Sequence, residues 1–496
     1  MKKLHNVMLL LVLLFSIHAV LYAQQPKKEN LSVLFVGFDP AVPVSEEIIN
    51  SPAGTGGMSP ERFREDMKTR YNAFESYLKE YFTTVKAVDV KSYKMEMSKN
   101  YDVTIFDQSI DPWEKAQYSP KYKPAKYLTE DFDFATVFIG HTAPLLGGSI
   151  GLKLDWLCLC LDADAHHLKS EHPIFKGPFP VKLTMVVKPT PDGIFHYESG
   201  KDIPKEIPMW RVQTEGYLEG KGYRLGLVSR GDGFTDSPDA EYISGGVSSK
   251  DVGAVAIGRH GNFLLWGFSA SPDYMTDEAK QVFANAVVYI KDFKGKKPIA
   301  RKYDDRIIIR TEIDDMIAKL NQESFEKFKG YMAEVNISMK EGVKKLSDKK
   351  QSGAKLTEME ESILEAQSQP IPIPTWEQYL QQTAQSFYKP EYLKNVDKLK
   401  KYLLENKKFM YYDEKGIYVD EDVKKLGIGN NDIKLLQKCI TLLKSGKETE
   451  LANAVLLRYT GMKKTAQEWE KWLTDNSSKL FFTEAGGYKW LIDTTK

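Results

Sequence analysis

The sequence predicts an α/β protein: a mainly parallel sheet flanked by helices, followed by a mostly helical unit carrying two β-hairpins. Three observations predict it. Short apolar, partly β-branched runs at residues 31–38, 101–106 and 134–139 each end at a turn residue, as strands buried on both faces of a parallel sheet do. A long helical period lies between the first run and the next strand candidate. Past residue 296 the chain changes to charged helices with proline-rich breaks, notably Pro370, Pro372 and Pro374.

The chain has 496 residues, which calls for more than one core. Residues 1–23 read as a signal peptide. Lys2 and Lys3 precede an apolar run over 7–22, and Ala23 is the small residue a signal peptidase requires. Cleavage after Ala23 makes the expected mature protein periplasmic or secreted. The run is short for a bilayer span and no second one follows, so no stable membrane insertion is expected after cleavage. The formal net charge of +1 steers the chain toward no nucleic acid or anionic surface. Only three cysteines are present, Cys158, Cys160 and Cys439. The first two stand at i and i+2 of an apparent strand, too far apart for an unstrained bridge, and read as small buried hydrophobes.

In chain order, residues 31–38 are the first strand. A Pro/Gly/Ser-rich loop over 39–60 follows. Ser59 caps a helix with Pro60 in its first turn, and Phe63, Met67, Tyr71, Phe74, Leu78 and Phe82 follow its period. Residues 84–90 and 101–106 are strands, the latter ending at Asp107. The strand 134–139 stops at Gly140-His141-Thr142, where a glycine turns the backbone sharply at the strand's C-terminal edge. In open α/β sheets ligands bind at that edge. Residues 151–161 alternate and then become fully apolar. Residues 181–187 and 223–229 are further strand candidates. Residues 254–257 and 263–266 form a hairpin around Arg259-His260-Gly261-Asn262. Thr276 caps a helix over 277–293. The run 294–298 is a hinge in composition, so the expected units are 24–295 and 296–496. Residues 306–310 suggest one more strand. In the second unit, residues 406–414 align without gaps to 476–484, each after an amphipathic helix and before a glycine and an aromatic segment. This predicts helix, strand, turn, strand, used twice, with the aromatics in a core.

The pattern Ile139-Gly140-His141-Thr142-Ala143 resembles the ThuA-like, trehalose-utilisation branch of the class I glutamine amidotransferase-like superfamily. So do the strand ending in Asp107, His172-Pro173-Ile174 with Gly177, and Gly261-Asn262-Phe263 before a closing helix. The resemblance covers roughly residues 30–295 and implies a flavodoxin-like fold with its site at the elbow. Residues 241–246 and 258–261 also resemble exported proteins of Bacteroidetes-like bacteria that have no assigned activity. An amidotransferase needs a cysteine nucleophile at the elbow. His141 stands there instead, so no glutaminase activity is expected.

The candidate catalytic residues are His141, Asp107 and Glu241. An imidazole at that edge can act as a general base, Asp107 can orient it, and Glu241 can act as an acid or base. Thr142, Arg259 and His260 are the candidate ligand-binding residues, Arg259 as an anion clamp. All six are expected around one concavity. His166, His167 and His172 with Asp162 and Asp164 are rich in ligand atoms. Their spacing fits no zinc signature, and His166 and His167 point apart if extended, so neither a metal nor a cofactor is assigned. The expected partner is a small polar molecule, with a carbohydrate derivative the favoured class. The alternative is a non-catalytic binding or assembly protein that uses the C-terminal unit as its partner surface. An accessible His141 beside Asp107, Glu241 or Arg259 favours the first reading, and a buried one the second.

Overall fold

The computed structural model describes residues 27–49, 59–108, 128–155, 157–197, 202–215, 226–248, 250–304, 306–356, 358–366 and 370–496. The signal-peptide segment, Trp156 and the first residues of the 223–229 strand candidate lie outside these. The described strands of the first part are β1 Glu29–Gly37, β2 Phe82–Asp89, β3 Val103–Phe106, β4 Thr136–Ile139, β5 Cys158–Leu161, β6 Asp164–His166, β7 Met185–Pro189, β8 Glu206–Arg211, β9 Gly226–Val228, β10 Ala240–Gly246, β11 Val255–His260 and β12 Phe263–Trp266.

Ten of them make one large sheet in the order β2-β1-β3-β4-β12-β11-β10-β6-β8-β7. The pairings from β2 through β12 are parallel. From β12 to β7 every pairing is antiparallel. The class is therefore the expected α/β sheet flanked by helices, its parallel part running from β2 to β12. Of the antiparallel half, local sequence patterns anticipate the β11–β12 hairpin and not the rest.

Strand alternation divides the core between the two faces. Val33, Phe35, Ile105, Val137, Ile139 and Trp266 belong to one buried cluster. Their neighbours Leu34, Val36, Phe106, Phe138 and Leu265 belong to a second. Helix Pro60–Tyr81 starts where Ser59 accepts from the Arg62 amide at 3.3 Å. It buries Phe74 against Phe35 and Phe283, the last from helix Asp277–Lys291.

A third cluster joins residues from Ile313 to Trp490. It contains the expected repeat. Helix Val396–Asn406 leads to the hairpin Met410–Asp413 and Gly416–Val419, and helix Ala466–Asn476 leads to Leu480–Thr483 and Lys489–Ile492. The copies agree in detail. Asn406 donates to the Tyr402 carbonyl at 2.8 Å, and Asn476 to the Trp472 carbonyl at 2.7 Å. Tyr411, Tyr488 and Trp490 are buried, as expected of a core.

Three local expectations need correction. Cys158 and Cys160 are disulfide-bonded, with their Cα atoms 5.2 Å apart. A regular strand would separate them by about 6.6 Å, but the β5–β9 register is broken between Cys158 and Leu161, which lets them approach. Lys153 and Asp155, read as the polar side of a strand, are buried in an irregular segment. Residues 306–310 form no described strand, and helix Arg310–Lys319 begins there. The compositional hinge is fastened down: the Gly295 amide donates to the Asp133 carbonyl at 2.7 Å, the Ile299 and Ala300 amides to Asp239, and Lys302 reaches Asp155 at 2.6 Å.

Candidate functional site

The elbow forms as the sequence implies. β4 ends at Ile139, Gly140 turns with φ +54°, and helix Thr142–Gly147 follows. A Cβ on Gly140 would stand 2.5 Å from Ser269 Oγ, so the position needs glycine for space as well as for φ. His141 and Asp107 both lie at the C-terminal edge of the parallel strands, since β3 and β4 are adjacent and in register.

They do not form an open dyad. His141 and Thr142 are 0 % exposed and Asp107 is 1 % exposed. The Thr142 hydroxyl stands 3.0 Å from both the Phe106 and Ile139 carbonyls. Arg70, from helix Pro60–Tyr81, takes both Asp107 oxygens at 2.8 and 2.6 Å and donates to the Ser269 carbonyl at 2.7 Å. Burial favours losing the Arg70 proton, but the Asp107 and Asp66 carboxylates outweigh it and raise its pKa. Asp107 is thus held in a buried ion pair with Arg70. Arg70 was missed, although it falls in the helix's apolar stripe between Met67 and Phe74, where a charge signals a buried partner.

Glu241, Arg259 and His260 lie at the opposite edge. β12 runs parallel to β4, with Phe263 beside Thr136 and Trp266 beside Ile139. β11 turns back so that His260 opposes Phe263, and β10 places Ala240 and Glu241 opposite His260 and Arg259. The single concavity expected for the six residues therefore does not exist: strand direction separates them across the length of the sheet. Glu241, Arg259 and His260 also sit in strands. The turn is Gly261-Asn262 alone.

At that lower edge Glu241 accepts from Tyr289 Oη and from Arg259 Nε at 3.3 Å, and its other oxygen faces His172 Nε2 at 3.4 Å. Burial opposes its ionisation, but these donors win and hold its carboxyl at about 2. Arg259 also donates to the Asp239 and Gly261 carbonyls and lies over the Phe293 ring, 3.9 Å from its centre. Its Nε and Nη1 donors are thus engaged inside the protein. His260 is 0 % exposed. Its Nδ1 accepts the Lys153 amide at 3.0 Å, so its proton sits on Nε2, 3.1 Å from Asp239. Burial lowers its pKa despite that carboxylate.

A third polar group joins the two units. The buried Lys153 pairs through Nζ with Asp236 and donates to Ser237 Oγ at 2.9 Å. Asp236 also accepts from Thr483 Oγ1 at 3.0 Å, at the end of the second hairpin's first strand, and from the Glu484 and Ala485 amides of its turn at 2.7 and 2.9 Å.

His166 and His167 converge instead of pointing apart. His167 takes φ +48°, which brings its Nδ1 to 2.8 Å from that of His166. His166 is 0 % exposed, and burial, then His167, depress its pKa to about 4. His172 lies with Glu241, apart from this pair. Among the described residues no group of three or more His, Cys, Asp or Glu side chains is arranged to hold a metal ion. Also among them, no helix is long and apolar enough to cross a membrane.

One cavity lies near the upper edge, about 180 Å³ in volume, between the loop after β1 and the start of helix Pro60–Tyr81. Val42, Val44, Ile49, Phe63 and Met67 line it, with Arg64 at its rim. Comparison with protein-family models, curated proteins and solved structures finds no match to this chain.

Proposed function

We propose that this protein is a non-catalytic binding or assembly protein. In this reading residues 24–295 are a flavodoxin-like, ThuA-like scaffold and residues 296–496 supply the partner surface. The protein is exported, with residues 1–23 removed after Ala23. The observation that carries the reading is the closed upper edge. The residues placed where such sheets put their chemistry are buried, and the Asp107 carboxylate is taken up by Arg70. Helix Gln322–Gln351 supports the second half of the reading. Of its 30 residues only Ser324 and Phe325 are buried, and Ile337 is 59 % exposed. The test is a photoreactive residue at Ile337 in the native host. A discrete crosslinked adduct is expected, and its absence, with the protein present and folded, counts against a partner on this helix.

The apolar cavity favours a second reading, a small ligand at the same edge. A thermal-shift screen over sugars and sugar acids separates the two. Stabilisation of the native chain that His141→Ala abolishes restores the ligand reading at the elbow.

A further inference from the structure

We propose that His166 and His167 form a two-histidine site for copper(II), bound through both Nδ1 atoms. The pair owes its geometry to the left-handed backbone at His167. Few non-glycine residues are held there. A neutral hydrogen bond between the rings is a modest net return for it. An ion that uses both lone pairs gives the strained conformation a return that the hydrogen bond alone does not.

The distance selects the kind of ion. Two nitrogens 2.8 Å apart, each about 2.05 Å from a common metal, subtend an angle of roughly 86°. That is the right angle of tetragonal copper(II) or nickel(II), well short of tetrahedral zinc. The rings stand nearly perpendicular, at 85°. His166 is the buried anchor and His167 is exposed, so the remaining coordination positions open to water. Gly245, opposite His166 across the β6–β10 pairing, keeps room beside the anchor. A Cβ there would stand 3.0 Å from His166 Nδ1 and 2.8 Å from Tyr242 Oη, so a phenolic oxygen borders the same space.

The test is a copper(II) titration of the full chain, purified without a histidine tag, followed by calorimetry and by electron paramagnetic resonance. One ion per chain is expected, with hyperfine structure from two imidazole nitrogens. His167→Asn keeps the left-handed backbone accessible and is on an exposed side chain. It should weaken binding at least tenfold and leave the melting temperature unchanged. No binding by the native chain, or equal binding by His167→Asn, would overturn the proposal. Loss of binding on His172→Gln with none on His167→Asn would place the ion elsewhere and overturn it equally.

Discussion

Arg70 closes on Asp107 through two parallel hydrogen bonds, Nε to Oδ2 at 2.8 Å and Nη2 to Oδ1 at 2.6 Å, with both side chains 2 % exposed. The pair ties helix Pro60–Tyr81 to the end of β3, and through the Ser269 carbonyl to the segment after β12. Breaking it leaves a guanidinium in the core. Asp107→Asn should therefore destabilise the fold by about 3–5 kcal/mol, the usual cost of an orphaned buried charge. Asp66, 3.6 Å from Arg70 Nη1, places the result toward the lower end. The double change Arg70→Met with Asp107→Leu removes both charges and should recover most of the loss. Urea unfolding measures all three. A cost below about 1 kcal/mol for Asp107→Asn would mean that the pair does not hold this edge.

What could be read in advance was local. Ser59 and Pro60 start the helix they mark, Gly140 turns the chain after β4, and the gapless match of 406–414 to 476–484 yields two hairpins with the same asparagine bond. Each depends on residues a few positions apart. The errors are long-range. The hairpin that sets β11 against β12 is legible, but nothing near it reveals that β12 runs parallel to β4, and that pairing moves Glu241 and Arg259 to the far edge from His141. Assumed regularity failed as well. Cys158 with Cys160, and His166 with His167, were judged on extended geometry, which a broken register and one positive φ undo. Lys153 looked like the polar side of a strand because its partner Asp236 is 83 residues away.

Asp236 joins the sheet to the second hairpin. It binds Lys153 on the sheet side and, on the other, Thr483 with the two turn amides that follow it in the second hairpin. The first hairpin has a shorter turn: Asp413 opposes Gly416 directly, whereas Thr483 opposes Lys489. The longer turn is the part of the repeat that docks. Asp236→Ala removes the acceptor and leaves Lys153 buried without its carboxylate, at a cost of about 3–5 kcal/mol. The loss falls on the junction, so the two units should unfold separately. Differential scanning calorimetry should change from one transition to two, with the second hairpin becoming sensitive to protease. A single transition merely shifted downward would show that the joint does not couple the units.

The lower edge makes a prediction about pH. Glu241 has its carboxyl lowered from an ordinary 4.5 to about 2, because the hydrogen bonds from His172 and Tyr289 and the charge of Arg259 outweigh its burial. A carboxyl lowered by folding contributes stability that is complete above its unfolded pKa and is lost as pH falls through its folded one. Its contribution should therefore be constant above about pH 5 and disappear between about pH 4.5 and 2. Tyr289 lies in helix Asp277–Lys291, so loss of the anion loosens that helix from β10. Glu241→Gln keeps the size and one acceptor but cannot titrate. It should lower the melting temperature near neutral pH and fall less steeply than the native chain below pH 4.5. Parallel melting curves of the two proteins from pH 7 to pH 2 decide it. If the two curves keep a constant separation through that window, Glu241 does not supply the acid-labile stability, and the hydrogen bonds around it hold equally well without its charge.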